Sequence, residues 1–237
     1  MSDTTTAAPS LARRTAIARP QPEPPAPVTI AVMGANYTDL ATMTKTRMEA
    51  FSDGVIAILI TIMVLDLKVP EGSSVVALRA VAPTFCAYLL SFVVLGIYWN
   101  NHHHMLHAAD RVSGSALWAN LHLLFWLSLI PFMTRWMGEH YLESLPTSCY
   151  GVVLICAACA YIILQAMLIR AQGAQSRLRR AVGSDVKGKL SIVLYAAAIA
   201  LASVRPWIAQ AIYALVALIW FVPDRRIERQ MHEATAR

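Results

Sequence analysis

The sequence predicts an all-α membrane protein with six transmembrane helices and both chain ends in the cytoplasm. Three observations carry that prediction. The chain of 237 residues is 57% hydrophobic and only 14% charged, with a mean hydropathy of +0.51. A water-soluble domain of this length needs a larger polar shell. The apolar residues are also gathered into long runs, several near the roughly 20 residues a helix needs to cross a hydrocarbon core about 30 Å thick. Finally, Lys and Arg alternate between rich and poor loops along the chain.

Residues 1–44 read as a disordered tail, because they hold six of the twelve prolines and few large apolar side chains. Arg13-Arg14 resembles a twin-arginine export signal, but no apolar region follows it. A six-helix unit is expected over 45–223, followed by a basic cytoplasmic tail over 224–237. The expected spans are Met48–Leu67, Val76–Asn101, Ser115–Met137, Thr147–Ile169, Leu190–Val204 and Trp207–Val222. The last two are short and share the turn at Arg205-Pro206, so a re-entrant pair is the alternative to two spans. Snorkelling of Lys187, Lys189 and Arg225 lengthens both.

Orientation follows from the basic residues. With the expected spans, 16 Lys and Arg fall on the side of the two termini and 4, namely Lys68, Arg79, Arg135 and Arg205, on the other. Cytoplasmic loops are the basic ones, which places both termini inside and the chain in the plasma membrane. The net charge of +6 is accounted for by this asymmetry, which argues against nucleic-acid binding. Cys156 and Cys159 form a CxxC within an apolar helix without a second pair, and read as small buried residues.

The first span carries acids at its cytoplasmic end, where charge near lipid is costly and points to function. Glu49 and Asp53 lie at i, i+4 on one face and repel unless a cation or donor separates them. At 100° per residue, Gly54, Ile58, Ile62 and Leu65 form one stripe, continued below by Arg47 and Phe51. Asp53, Ala57, Ile60 and Val64 form a second stripe about 140° from Ile58. If one stripe lines a pore, the other packs on neighbouring helices, which would make Asp53 an anchor rather than an ion ligand.

The run Arg47-x-x-x-Phe51-Ser52-Asp53-Gly54-Val55-x-Ala57-Ile58-x-x-Thr61 resembles the RxxxFSD signature of the transmembrane protein 175 potassium channels, in their prokaryotic branch. Leu117-Trp118-Ala119-Asn120-Leu121-His122, running on to Ile130-Pro131-Phe132-Met133-Thr134, is similar to that family's third helix, and Trp99, Asn100 and His102-His103 also fit. The resemblance spans about Thr46–Val222. It implies a homotetramer of six-helix subunits around a central pore lined by the first helix, passing K⁺ passively through hydrophobic constrictions. Ile58, Ile62 and Leu65 would form the constrictions and Thr61 would contribute to ion discrimination. Arg47, Phe51, Ser52 and Asp53 would hold the first helix in place, with His102 or His103 and Asn120 as partners. No cofactor is implied, only permeant K⁺.

A carbonyl filter of the TVGYG kind is absent from the sequence. An apolar ring cannot coordinate K⁺, so weaker selectivity than that of carbonyl filters is expected. Asp66, at the outer end of the first helix, is either a fourfold carboxylate ring that concentrates cations or an ordinary interfacial acid. His102-His103-His104-x-x-His107 places His103 and His107 on one face, as in helical zinc sites, or supplies proton sensing; the family resemblance requires no metal there. A secondary transporter is the rival function, but no internal repeat supports it. No catalytic spacing supports an enzyme.

Overall fold

The structure, a computed structural model, describes residues 37–173, 178–179 and 185–221, with side chains from Lys45 onward. Every described element is a helix: α1 Tyr37–Leu65, α2 Val75–His107, α3 Gly114–Ser128, α4 Ile130–Glu139, α5 Ser144–Gln172, α6 Val186–Ala202 and α7 Pro206–Phe221. Only Leu129 separates α3 from α4, and the two together make one span, Gly114–Glu139, which gives the six helices read from hydropathy. By length and composition, four segments suffice to cross a bilayer: Lys45–Leu65, Val75–His107, Gly114–Glu139 and Ser144–Gln172. The chain is thus a multi-pass membrane protein. Helices α6 and α7 have 17 and 16 residues, or roughly 25 Å each, and fall short of the hydrocarbon thickness.

Three boundaries depart from the sequence expectation, each for a local reason. Helix α1 begins at Tyr37 rather than Met48, and no proline stands between Pro27 and Pro70 to stop it. The expected disordered tail is therefore helical from Tyr37; its remainder, like the basic tail over 224–237, lies outside the described residues. Helix α2 runs to His107 and takes the whole histidine cluster into its last turns. The third span is interrupted at Leu129 because Pro131 supplies no N–H and crowds the carbonyl of Leu127. Leu129 N instead bonds Trp126 O at 3.3 Å. Ser74 and Ser113 cap α2 and α3 by accepting from Ala77 N and Ala116 N, at 3.1 and 3.3 Å.

Helices α5, α6 and α7 form the tight part of the bundle, and α5 also packs on α3. Their contact surfaces are built from small residues, with Ala157, Ala160, Ala198, Ala202 and Ala209 fully buried. Lipid provides no hydrophobic drive between helices, so close backbone approach and dispersion hold them. Buried hydroxyls add direction: Ser91 Oγ lies 2.9 Å from the Tyr150 hydroxyl and 2.6 Å from Thr134 Oγ1, tying α2, α5 and α4 together. The backbone of α1 approaches no other helix as closely as these do.

Gly151 shows how tight the α5–α7 contact is. A Cβ there would collide with the Tyr213 hydroxyl and stand 2.8 Å from Ile199 Cγ1. Gly151→Ala is expected to lower stability by about 1–3 kcal/mol through overpacking. Gly96→Ala, with nothing within 4 Å of its added carbon, is expected to leave it unchanged or raise it. Thermal unfolding of both variants in detergent reads the difference, and equal midpoints would show that the Tyr213 ring yields freely.

Candidate pore-lining helix

Helix α1 has two unlike faces. Met48, Ser52, Ile56, Leu59 and Met63 are buried against the subunit. Phe51, Ile58, Ile62 and Leu65 are exposed, Ile58 at 62% and Leu65 at 80%. Arg47, Gly54 and Thr61 share that open side, and a Cβ on Gly54 would meet nothing within 4 Å. The stripe of Gly54, Ile58, Ile62 and Leu65 is therefore free of partners within the subunit. The expected packing stripe needs correction. The buried face is the one through Ser52 and Ile56, about 110° from the stripe of Asp53, Ala57, Ile60 and Val64. Of that stripe, Ala57 and Val64 are exposed and Asp53 and Ile60 are half-buried.

Ser52 sets this rotation. Its hydroxyl donates to Met48 O at 2.8 Å, so its oxygen must accept the Asn120 Nδ2 proton, also at 2.8 Å. That fixes the Asn120 amide with Oδ1 facing His102 Nε2, 2.8 Å away, and makes Nε2 the protonated ring nitrogen. The chain from His102 through Asn120 to Ser52 and Met48 O has one polarity and links α2, α3 and α1. All three side chains are buried, His102 at 1% exposure. Its Nδ1, the unprotonated ring nitrogen, is buried without a hydrogen-bond partner.

Two further ties flank the chain. Trp99 Nε1 donates to Asp53 Oδ1 at 3.0 Å, and His103 Nδ1 lies 3.1 Å from Glu49 Oε1. Donors thus separate the two carboxylates that the sequence placed on one face. His103 thus meets α1 directly at Glu49, whereas His102 reaches it only through Asn120 and Ser52. Trp99 and His107 stack above and below the His103 ring at 6.2 and 6.0 Å. Among the described residues, no group of three His, Cys, Asp or Glu has a metal-holding arrangement, and Cys156 and Cys159 are free thiols. Arg47 and Phe51, expected in the packing network, face away from the buried side.

At the Leu65 end of α1, Arg135 Nη1 binds Asp66 Oδ1 at 3.2 Å, and Glu139 accepts from Lys68 at 2.9 Å and from Arg135 at 3.4 Å. Asp66 is thus part of a balanced cluster of two acids and two bases, not a lone carboxylate. Thr61 Oγ1 lies 3.0 Å from the carbonyls of both Ala57 and Ile58. Its proton is committed to the helix, and its lone pairs are left on the open side. Sequence reasoning missed the roles of Trp99 with Asp53 and of Arg135 with Asp66. The available signals were the one-turn spacing of Trp99 and His103 and the i, i+4 pair Arg135 and Glu139.

Comparison with known proteins gives this arrangement a context. The family model described as Endosomal/lysosomal potassium channel TMEM175 matches residues 47–131. A potassium channel of Chryseobacterium sp. (strain P1-3) is 53% identical over 191 residues, covering 81% of this chain and all of that protein. The chain belongs to the TMEM175 family. The human TMEM175 relative, named an endosomal/lysosomal proton channel, is 40% identical over 96 residues, which are 35% of this chain and 19% of that protein. A crystal structure of a lysosomal potassium-selective channel TMEM175 homolog from Chamaesiphon minutus superposes with a TM-score of 0.68 at 26% identity. The match covers 76% of this chain and 97% of that one. The residues matched by the TMEM175 model include all of the α1–α2–α3 hydrogen-bond chain.

Replacing Asn120 tests that chain. Asn120→Leu leaves the His102 Nε2 proton buried without an acceptor, an expected loss of about 1–3 kcal/mol. In a double-mutant cycle, His102→Leu with Asn120→Leu is expected to recover part of that loss, with a coupling of about 0.5–3 kcal/mol. Strictly additive losses in unfolding midpoints would mean that the two side chains do not act as a unit.

Proposed function

We infer that this chain is a potassium channel whose pore is lined by α1. The carrying observation is the unpartnered apolar stripe of α1, set opposite a buried face fixed by three directional polar ties. The Chryseobacterium relative, which the chain covers in full, is named a potassium channel. The similarity to the Chamaesiphon channel supports the same reading, and neither relative favours a secondary transporter or an enzyme. A single subunit cannot enclose a pore with one helix face. The reading therefore takes four subunits about a common axis, each contributing α1, with both termini in the cytoplasm and the assembly in the plasma membrane.

Ile58, Ile62 and Leu65 then form successive apolar rings. Such a ring repels water when narrow and closes; when wider it passes an ion that keeps part of its hydration. K⁺ gives up water more readily than Na⁺, so apolar rings favour it modestly. Thr61, with lone pairs outward between two apolar rings, offers the one oxygen contact along that stretch. Arg47, exposed at the cytoplasmic end beside Phe51, serves contacts between subunits. Asp66 works as one charge of the outer cluster: its carboxylate offsets Arg135 at the mouth and keeps the entrance from being net positive. The human relative's name as a proton channel favours H⁺ as a second permeant ion through the same pore.

Reconstitution in liposomes tests this directly. Wild type should carry K⁺ flux, and Ile58→Asn should raise it about tenfold, equivalent to ~1.4 kcal/mol off the barrier. Absence of flux in both proteins would sink the channel reading, while a wild-type flux untouched by Ile58→Asn would remove Ile58 from the constriction. A pH-sensitive dye in the same vesicles reports H⁺ passage. In single-channel recordings, Asp66→Asn should lower K⁺ conductance at low salt and much less at high salt, where screening takes over. Equal conductance at low salt would remove Asp66 from the mouth.

A further inference from the structure

Away from α1, a cleft opens between α2, α5, α6 and α7 toward the end of the subunit assigned above to the cytoplasm. Its walls include Tyr98, Tyr161, Tyr195 and Trp220, together with Asp185 and apolar residues such as Ile97 and Ile162. Tyr98 and Tyr161 stand at 68° with centroids 6.1 Å apart, so they present surfaces in two directions. Trp220 is held in place by its Nε1 donating to Ser191 Oγ at 2.8 Å, and Tyr161 by its hydroxyl donating to Asn101 O at 3.2 Å. The hydroxyls of Tyr98 and Tyr195 have no hydrogen-bond partner among the described residues.

The chemistry selects the charge of an occupant. Aromatic faces attract cations through their quadrupoles. The N-terminus of α6, which by its dipole favours an anion, already has Asp185 Oδ1 accepting from Gly188 N at 3.2 Å. Among the described wall residues the one ionised group, Asp185, is thus negative, and its other oxygen is free of that capping bond. The apolar wall residues suit an alkyl chain. We propose that this cleft binds an alkylammonium group, with Asp185 and the rings of Tyr98, Tyr161 and Trp220 around the charge and the alkyl chain along α2 and α5. An aminolipid headgroup and a free long-chain amine share that chemistry.

The full chain, stripped of lipid in detergent, is titrated with phosphatidylethanolamine, with phosphatidylglycerol of the same acyl chains, and with decyltrimethylammonium; native mass spectrometry reads what is retained. Both ammonium probes should be held in preference to phosphatidylglycerol and should compete with each other. Asp185→Asn should weaken both about tenfold or more, the scale of a lost charge-assisted contact, and leave phosphatidylglycerol unaffected. Asn caps a helix as well as Asp and tolerates the left-handed backbone at this position (φ 43°), so the variant should keep the wild-type unfolding midpoint. Tyr161→Leu, which removes a ring without touching the charge, should weaken the same two probes. Wild-type retention of both by Asp185→Asn, or displacement of phosphatidylethanolamine by phosphatidylglycerol, overturns the proposal. Binding of decyltrimethylammonium alone keeps the ammonium site and assigns it to a soluble amine.

Discussion

The hydrogen bond from Asn120 to Ser52 is the constraint on which the candidate pore depends. In hydrocarbon, a polar group without a partner costs several kcal/mol, so a hydroxyl on a membrane helix turns toward whatever can satisfy it. Ser52 finds Asn120 on α3, and Asn120 in turn satisfies His102 on α2. Because the chain has one polarity, none of its members is free to rotate away without stranding the next. A helix surrounded by lipid-like apolar side chains has little else to set its rotation. Leucine and isoleucine pack almost equally well on any side. The polar chain removes that degeneracy and leaves Ile58, Ile62 and Leu65 pointing outward from the subunit.

The rest of the subunit is held by a different kind of contact. Helices α5, α6 and α7 meet through alanines and Gly151, where backbone proximity and dense dispersion contacts leave no room for adjustment. Helix α1 keeps its backbone further away and connects through side chains: buried Met48, Ile56, Leu59 and Met63 along its length, Ser52, Asp53 and Glu49 at one end and Asp66 at the other. Its apolar contacts seat it on the rest of the subunit, and its polar ties set its rotation.

Much of this was legible in the sequence because it depends on periodicity. The stripe of Gly54, Ile58, Ile62 and Leu65 follows from 3.6 residues per turn alone, and the structure leaves it open. The six helices follow from hydropathy, and the break at Leu129 could have been read from Pro131. The buried face of α1 could not. A period shows which residues share a face, but not which face a neighbour will claim. That choice was made by Asn120, 68 residues along the chain from Ser52. The pairing of Asp66 with Arg135 was hidden for the same reason: 69 residues separate them. Asp66 alone looks like an acid at a mouth; beside Arg135 it is half of a neutral pair.

The two ends of α1 therefore differ in what holds them, and the difference bears on permeation. At the Ser52 end the Asn120–Ser52 bond is buried and neutral, so salt does not weaken it, while the Trp99–Asp53 and His103–Glu49 contacts beside it are partly exposed. The tie at the Leu65 end consists of partly exposed ion pairs, with Arg135 and Lys68 in contact with solvent. Exposed pairs contribute little to stability and are screened as ionic strength rises. The Ser52 end is then the fixed point of the helix, and the Leu65 end is the more easily displaced one. Leu65 sits beside Asp66 at that looser end, while Ile58 lies less than two turns from Ser52. Of the apolar residues on the open stripe, Ile58 is the most firmly positioned and Leu65 the most responsive to the ionic strength around it.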